Sequence, residues 1–502
     1  MATGTVSVRS ANGVVSSGAS PKSTATVATR RSRIPAWTWS FVLGPLPAFL
    51  VSQWHGSANL LPRLVLAAAL TIWSYVIGKI IQTRRENLAM LCFALFNIMG
   101  IIFPGMLQSA NNRFPFYGAT YATEVLQNAA LLVLAYTATV SFTYLYYLNK
   151  AGRAPMPALL RRTRTVLMPL AVPALSVLTV LVMFAVGTRF FTSPRLVAES
   201  ELGGIVLVSP VTLIPIAVGR SLGFVTLAVV FARMREHKPS ILSWSPYLVL
   251  ALGIFYVTNN PFNEARFSFA AFLIALMAMV LDTRQPRAKA LVVLGYAFGI
   301  LVAMPVMDAM EGRTATGRVV DDLIHNYSGS LDYDGFQSIM NVMMWTGATG
   351  VKLGAQLFSG LLFFIPHTVW HDKALPTGVA AARYIGYPSQ NISSPLPSEF
   401  YADFGAVGLV VLSAFLGRLL AAVDRALDSV ESWSSSLVRL PFVTFAGFTA
   451  IIARGALLAI IGPTVAALAV STLAVYALTK RTATRTSNRR SIPQKNAVQH
   501  AG

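Results

Sequence analysis

Long apolar stretches recur from one end of the chain to the other, and most have the length of a membrane-spanning helix. About 20 apolar residues in a helix cross the ~30 Å hydrocarbon core of a bilayer. The stretches do not alternate apolar and polar residues, which favours helices over a membrane β-barrel. We therefore predict an all-α polytopic membrane protein with about twelve spans. These are Trp37–Gln53, Leu64–Ile81, Leu88–Leu107, Ala122–Leu148, Thr165–Gly187, Gly204–Val230, Ser243–Thr258, Phe267–Leu281, Ala290–Met307, Phe404–Leu420, Leu440–Ile452 and Leu457–Leu478.

The composition indicates the same class, because 55% of the 502 residues are hydrophobic and only 12% are charged. The net charge of +21 comes from Lys and Arg residues spread over short loops and the two terminal segments. Because these residues form no single basic patch with interleaved aromatic residues, we predict no nucleic-acid partner. The single cysteine, Cys92, lies in an apolar stretch and is interpreted as a packing residue.

The positions of the basic residues also predict the topology. Lys and Arg concentrate in cytoplasmic loops, and here they occupy alternate loops, on the same side as both basic terminal segments. We therefore predict that both termini are cytoplasmic. The predicted organisation is a disordered cytoplasmic segment over 1–35, nine spans within 36–307, one extracytoplasmic loop over 308–403, three spans within 404–479, and a basic cytoplasmic segment over 480–502.

The long loop concentrates the ionisable side chains. Nine of the 19 Asp and Glu residues and three of the six His residues lie in it. Within it, Val351–Ile365 is apolar but short and rich in glycine, and a complete crossing there would break the alternation of basic loops. We predict a re-entrant or interfacial helical element that packs on the bundle.

Two arginines are candidates to bind an anion. Arg266 follows a short external turn at the start of the eighth span, and Arg220 lies near the middle of the sixth apolar stretch. A guanidinium offers a planar set of donors to a phosphate, and a charge within a span usually faces a cavity. The structural alternative is anchoring at the membrane interface by a snorkelling side chain.

Two further groups of polar residues lie in the long loop. His367, Trp370 and Lys373 combine a proton acceptor, an aromatic ring suited to stacking on a sugar, and a cation. Glu399 and Asp403 are four residues apart and share one face of a helix that begins just before them. A carboxylate there can act as a general base toward a sugar hydroxyl, whereas the structural alternative is that both acids stabilise a helix N-terminus.

These residues resemble the pattern of the Wzy-type oligosaccharide repeat-unit polymerases, or O-antigen polymerases, of bacterial surface-polysaccharide assembly. The likeness covers roughly the C-terminal half of the chain and consists of short pieces in order. They are Asn260-Pro261 with Arg266, Met304-Pro305 with Asp308, Asp332-Tyr333-Asp334-Gly335-Phe336-Gln337, Ile365-Pro366 with Trp370 and Lys373, Asn391-Ile392-Ser393-Ser394-Pro395-Leu396, and Glu399 with Phe404-Gly405. The chain departs from the family at His367, since members usually carry an arginine after the Ile-Pro step.

The resemblance implies polymerisation of undecaprenyl-diphosphate-linked oligosaccharide repeat units by glycosyl transfer at the outer face of the bacterial plasma membrane. It implies no metal and no cofactor, because the donor already carries a diphosphate leaving group. The expected partners are that lipid-linked oligosaccharide and membrane lipids, with a chain-length regulator and a flippase of the same pathway. The roles it implies are diphosphate binding by Arg266, Arg220, Lys373 and Arg383, sugar binding by Asp332, Asp334, Trp370, Tyr401 and Asn391, and general base for Glu399, with His367 as the alternative.

Two other functions stay open at this point. A ligase of lipid-linked glycans shares the topology, the donor and the large external loop, but it uses a different acceptor. A flippase or transporter of the same oligosaccharide should carry charges along a central cavity and show related halves. We find no convincing similarity between the halves of this sequence.

Overall fold

The computed structural model describes residues 44–150, 162–165, 168–193, 210–237, 241–310, 327–388, 392–430 and 433–481. Most of these residues are helical. The helices are α1 Pro45–His55, α2 Leu60–Gln82, α3 Leu88–Asn111, α4 Thr123–Asn149, α5 Met168–Val186, α6 Arg189–Thr192, α7 Pro210–His237, α8 Ile241–Thr258, α9 Arg266–Val280, α10 Pro286–Met307, α11 Gly335–Thr349, α12 Ala355–Leu361, α13 Thr377–Ile385, α14 Leu396–Asp428, α15 Leu440–Arg454 and α16 Leu457–Leu478. Helices α3 and α10 each contain a π-helical turn, at Asn97–Ile102 and Gly299–Ala303, and 3-10 turns lie at Leu331–Tyr333 and Trp433–Arg439.

Eight helices in the described part of the chain are long and apolar enough to cross a membrane. They are α2, α3, α4, α7, α10, α14, α15 and α16, and the shorter apolar helices α5, α8 and α9 accompany them. Helices suit a bilayer because each one satisfies its own backbone polar groups. The prediction of a helical membrane protein is confirmed, while the number of spans and the side on which each loop lies stay predictions.

The structure differs from the all-α prediction in one detail. Two short antiparallel strands pair with each other, β1 Arg162–Thr165 and β2 Thr479–Arg481. The first strand comes shortly before α5 and the second directly follows α16, so these two backbones meet at one end of the bundle. The sequence predicts both stretches at the cytoplasmic side.

The helices pack closely along their lengths. Helix α4 runs along α14, α9 along α15, and α7 against α5 and α16. The first nine residues of α3 are all buried, which places this helix in the interior of the bundle. A methyl group added at Gly417 of α14 would lie 2.6 Å from the Val140 carbonyl oxygen of α4. Small residues let membrane helices approach to backbone contact in this way.

A cluster of charged residues joins three stretches at one end of the bundle. Glu86 is 1% exposed, and its Oε1 lies 2.9 Å from Nη2 of Arg439. Nε of Arg284 lies 3.6 Å from Oδ1 of Asp428, which also accepts a hydrogen bond of 3.1 Å from the backbone N–H of Glu86. The sequence predicts all three stretches at the cytoplasmic side, so their mutual contacts are compatible with the predicted topology.

We expect Asp424→Ala to destabilise the bundle by about 3 kcal/mol or more. The Asp424 carboxylate is buried and accepts hydrogen bonds from the backbone N–H groups of Ala89 at 2.9 Å and Met90 at 3.2 Å, and from the Tyr144 hydroxyl at 2.9 Å. Each buried donor left without a partner costs roughly 1–3 kcal/mol. Thermal unfolding in nanodiscs measures the change. As a control, Glu124→Ala removes an exposed carboxylate at the start of α4 and should cost less than about 1 kcal/mol, so equal melting temperatures for the two variants contradict the prediction.

Helix α14 is broken near its start, at Gly405. This residue has φ 64° and ψ −151°, a backbone conformation that glycine adopts without steric cost. The break separates residues 396–404 from 406–428. Glu399 and Asp403 therefore lie in a short helical piece at the head of α14, as the prediction of a helix beginning just before them requires, although the tenth span is predicted to start only at Phe404.

Helix α12 lies inside the apolar stretch Val351–Ile365, for which the sequence predicts a helical element on the bundle. It packs against α14 and α16. Oδ1 and Oδ2 of Asp403 accept hydrogen bonds from the first backbone N–H groups of α12, at 3.0 Å from Gln356 and 2.8 Å from Leu357. Just before α12, the N–H of Lys352 donates to the Ala402 carbonyl at 2.8 Å. Both contacts fix α12 to the head of α14.

Candidate functional site

Polar residues from five distant stretches meet at the end of the bundle opposite the Glu86 cluster. An ion pair, hydrogen bonds and close backbone contacts connect the stretches to one another. All five are predicted to be extracytoplasmic. They are 263–266 before and at the start of α9, 332–338 around the start of α11, 377–383 in α13, 392–399 around the start of α14, and 454–457 between α15 and α16.

Arg266 is the first residue of α9 and forms an ion pair with Asp332. Its Nη1 lies 3.0 Å from Oδ2 of Asp332, with the two side chains 7% and 22% exposed. The sequence suggests separate roles for these residues, one at a diphosphate and one at a sugar. Since the structure brings them together, an anion that binds Arg266 has to lie beside Asp332 or displace it.

Asp334 anchors the loop before α14 to the start of α11. It is 1% exposed. Its Oδ2 accepts hydrogen bonds from the Ser393 N–H at 2.9 Å and the Ser338 hydroxyl at 3.1 Å, and its Oδ1 accepts one from the Ser393 hydroxyl at 2.7 Å. Both carboxylate oxygens are thus engaged, and this geometry gives Asp334 a structural role. A sugar contact at Asp334 requires these bonds to break.

Arg454 is a site residue that the sequence interpretation misses. It ends α15, its guanidinium lies over the Phe267 ring at 4.9 Å, and its Nη2 lies 3.8 Å from Oδ1 of Asp334. Its side chain is 24% exposed, and its Nε has no hydrogen-bond partner among the described residues. Phe267 directly follows Arg266 in α9, so both arginines contact or belong to the start of this helix. The signal was present in the sequence, since Arg454 flanks a predicted span on the external side as Arg266 does.

Gly455 holds the turn between α15 and α16 against the loop before α14. Its φ is +67°, and a Cβ placed there would lie 1.5 Å from the Ser394 carbonyl oxygen. Only glycine permits both this conformation and this approach. The contact fixes Arg454 next to the residues that lead into α14.

Glu399 lies in the first turn of α14 and is 2% exposed. Its Oε1 accepts a hydrogen bond of 3.4 Å from the N–H of Leu457, the first residue of α16. Asp403 likewise contacts the start of α12. Both acids therefore stabilise helix N-termini, as the structural interpretation of the sequence suggests, but at other helices than expected. The two acids stabilise the N-termini of neighbouring helices rather than the start of α14.

Lys373 has a buried ammonium group. It is 6% exposed, and its Nζ donates to the carbonyls of Leu362 at 3.4 Å, Phe363 at 3.0 Å and Ile365 at 2.8 Å. Burial lowers the pKa of Lys373 below its ordinary value. An ammonium group has three N–H donors. Since three carbonyls lie within hydrogen-bonding distance of the three donors, this geometry favours a role in closing the turn after α12 over binding a diphosphate.

His367 and Trp370 lie in the same turn and are both half-buried. Burial, and then the positive charge of Lys373, lower the pKa of His367 below its ordinary value. The imidazole is therefore neutral at neutral pH and able to accept a proton. The turn is tied to α12 by a hydrogen bond of 3.0 Å from the Ala374 N–H to the Ser359 hydroxyl.

Arg220 joins α7 to the turn that precedes Arg266. Its Nε lies 3.0 Å from Oε2 of Glu264, its Nη2 donates to Oδ1 of Asn263 at 2.5 Å, and its carbonyl accepts a hydrogen bond of 3.1 Å from the Asn259 side chain. Arg220 is thus engaged with protein groups and positions the turn that carries Arg266.

The remaining predicted residues occupy separate places. Arg383 is exposed in the last turn of α13. Tyr401 is half-buried and packs against the hydrophobic core. Asn391 lies outside the described residues.

The charged groups at this end of the bundle include the guanidinium groups of Arg266 and Arg454 and the buried carboxylate of Glu399. Guanidinium groups bind phosphate oxygens through directed N–H donors. A carboxylate can accept a proton from a hydroxyl. Comparisons of the chain with protein-family models, with curated proteins and with solved structures give no match. The function is therefore argued from the residues of the site.

Proposed function

We propose that this protein polymerises undecaprenyl-diphosphate-linked oligosaccharide repeat units at the outer face of the bacterial plasma membrane, with both termini in the cytoplasm. The observation that carries the proposal is the convergence of Arg266, Arg454 and Glu399 at one end of a helical membrane bundle. Glycosyl transfer from a lipid diphosphate requires cations at the leaving group and a base at the acceptor. The ordered resemblance to the Wzy-type polymerases supports the same reaction.

In the proposed reaction, a hydroxyl at the non-reducing end of one lipid-linked repeat unit attacks the anomeric carbon of the donor glycan. The bond between that carbon and the diphosphate oxygen breaks as the new glycosidic bond forms. The hydroxyl proton passes to Glu399, and undecaprenyl diphosphate leaves with the electron pair. Arg266 and Arg454 stabilise the charge that develops on the diphosphate.

The burial of Glu399 adds a requirement. Because the carboxylate is 2% exposed, residues that cover it have to move aside for the acceptor hydroxyl. His367 is more accessible and is neutral at neutral pH, so it is kept as the alternative base. Asp332 and Trp370 are retained as proposed sugar contacts because both are partly exposed.

One assay separates the polymerase from its two rivals. The purified protein is incubated in nanodiscs with lipid-linked repeat unit alone. A polymerase produces a ladder of lengthened lipid-linked chains. A ligase produces no ladder because its acceptor is missing, and a flippase leaves the chain length unchanged. A ladder therefore supports the proposal, and its absence at saturating substrate overturns it.

Arg454→Ala is expected to lower the rate of ladder formation about 100-fold, the usual effect of removing one donor that stabilises developing negative charge. Arg454→Lys should restore only part of the rate, because an ammonium group keeps the charge and loses the planar set of donors. The matched control is Arg418→Ala, which removes an exposed arginine that lies 5.4 Å from the Tyr147 ring, far along α14 from the site. Equal rates for Arg454→Ala and Arg418→Ala would remove Arg454 from the mechanism.

A further inference from the structure

Next to the site, two aromatic side chains form a surface that the proposed reaction does not use. Tyr117 belongs to the turn between α3 and α4, and Tyr387 lies just after α13. Their ring centroids are 5.1 Å apart, and Tyr117 is 58% exposed. The sequence predicts both stretches at the external side of the membrane.

The backbone of Tyr117 is unusual for a bulky residue. Its φ is +58°, in the left-handed region that side chains other than Asn, Asp and Gly rarely adopt. Residues persist in such conformations only where their surroundings hold them, and they are enriched at ligand-binding sites. The left-handed turn at Tyr117 leaves its aromatic ring exposed to solvent.

The ring of Tyr387 is held from below by a buried polar network. Its hydroxyl lies 3.3 Å from Nε2 of Gln337 and 3.3 Å from the hydroxyl of Tyr121. Gln337 also bonds to both backbone groups of Phe116, accepting from its N–H at 2.8 Å and donating to its carbonyl at 3.2 Å. The Phe116 ring stacks on Tyr387 with centroids 5.9 Å apart. Satisfied buried networks of this kind fix side chains in place.

The same elements connect this surface to the candidate site. Gln337 lies three residues after Asp334 in α11, which is a rise of about 4.5 Å along the helix. Tyr387 follows α13, and a Cβ added at Gly378 in that helix would lie 2.3 Å from the Ile392 carbonyl oxygen in the loop before α14. Tyr387 is thus held by the two helices that also hold the loop beside Glu399, and Gln337 of α11 also binds Phe116, the neighbour of Tyr117.

We propose that Tyr117 and Tyr387 form a stacking platform for a sugar ring of the lipid-linked glycan, away from the reacting end. The C–H face of a sugar ring is apolar and packs on an aromatic face. This inference rests on the proposed function for the identity of the glycan. The competing role for exposed tyrosines is anchoring at the membrane interface, which requires no sugar.

Binding of a glycan that carries neither lipid nor diphosphate tests the platform. The probe is the oligosaccharide released by mild acid from the lipid-linked glycan pool of the producing cells. Saturation-transfer NMR detects its binding to the full-length protein in nanodiscs, which avoids sugar-headed detergents. The variants are Tyr117→Asn, which removes the ring but tolerates the left-handed backbone, and Tyr117→Phe, which keeps the ring.

We expect the wild type and Tyr117→Phe to bind the released oligosaccharide alike and Tyr117→Asn to bind it at least about 10-fold more weakly, within the range of one lost aromatic stacking contact. Equal binding by all three, or no binding by any, overturns the platform. The proposed function is tested separately, by the ladder assay and by measuring the binding of undecaprenyl diphosphate, a ligand without sugar. A protein that passes those tests but fails this one is a polymerase whose tyrosines serve another purpose.

Discussion

Glu399→Gln is expected to abolish chain extension while the protein remains folded in the membrane. The amide keeps the size of the side chain, and its oxygen can still accept the hydrogen bond that Leu457 N–H makes to Glu399 at 3.4 Å. What the variant loses is a proton acceptor, and general bases contribute about 10²- to 10⁴-fold to a rate. The ladder assay with lipid-linked repeat unit measures the loss. Polymer of normal length would sink the assignment of Glu399 as the base.

His367→Gln is the paired variant that identifies the base. If Glu399 is the base, His367→Gln keeps most of the activity. If His367 is the base, His367→Gln abolishes chain extension and Glu399→Gln keeps most of the activity. The pH dependence of the wild-type rate is a second test of whether His367 is the base. Because burial and Lys373 lower the pKa of His367, its base form persists below the ordinary value of about 6.5, and activity should decline only at lower pH.

Gly455→Ala is expected to eliminate activity and to lower stability by about 2–5 kcal/mol, the sum of a left-handed alanine and an overpacked contact. The added methyl group would lie 1.5 Å from the Ser394 carbonyl oxygen, so the two backbones have to separate. Their separation moves Arg454, one residue before, and the N–H of Leu457, two residues after. Loss of the cation and of the Glu399 contact together explains why this effect should exceed that of Arg454→Ala.

The control for this variant is Gly253→Ala. Gly253 lies within α8, and a Cβ added there meets no atom within 4 Å. Alanine favours a helix over glycine by up to about 1 kcal/mol, so this change should leave stability unchanged or slightly higher. Thermal unfolding and the ladder assay are run on both variants. A Gly455→Ala protein that matches Gly253→Ala in both measurements shows that the Ser394 contact is dispensable.

The helices could be predicted from the sequence because a bilayer imposes one length and one composition on each of them. Ser243–Thr258 lies within α8, and Leu457–Leu478 coincides with α16. The start of α14 was harder to predict. The apolar stretch predicts a span that begins at Phe404, whereas α14 begins at Leu396 and includes the polar turn with Glu399; the break at Gly405 lies where the apolar stretch begins.

The sequence predicts a site residue only where its position relative to its own helix indicates the role. Arg266 was identified because its place at the start of a span is visible in the sequence. Arg454 occupies a similar place, but its importance comes from the approach of Gly455 to the loop before α14, a contact between residues about sixty positions apart. Lys373 and Arg220 have the chemistry of an anion ligand, but in the structure backbone carbonyls contact Lys373 and Glu264 pairs with Arg220, so their role at a diphosphate stays a prediction. Partners of this kind are a property of tertiary packing.

The break at Gly405 also bears on how the protein responds to the bilayer around it. Long helices adjust to bilayers of different thickness by tilting. Residues 406–428 pack along α4 and tilt with it, whereas residues 396–404 are held by α12, α16 and the loop that Asp334 anchors. The non-helical backbone of Gly405 interrupts the helix, so the two pieces need not share one axis. We therefore expect a change in bilayer thickness to alter the tilt of residues 406–428 more than the position of Glu399.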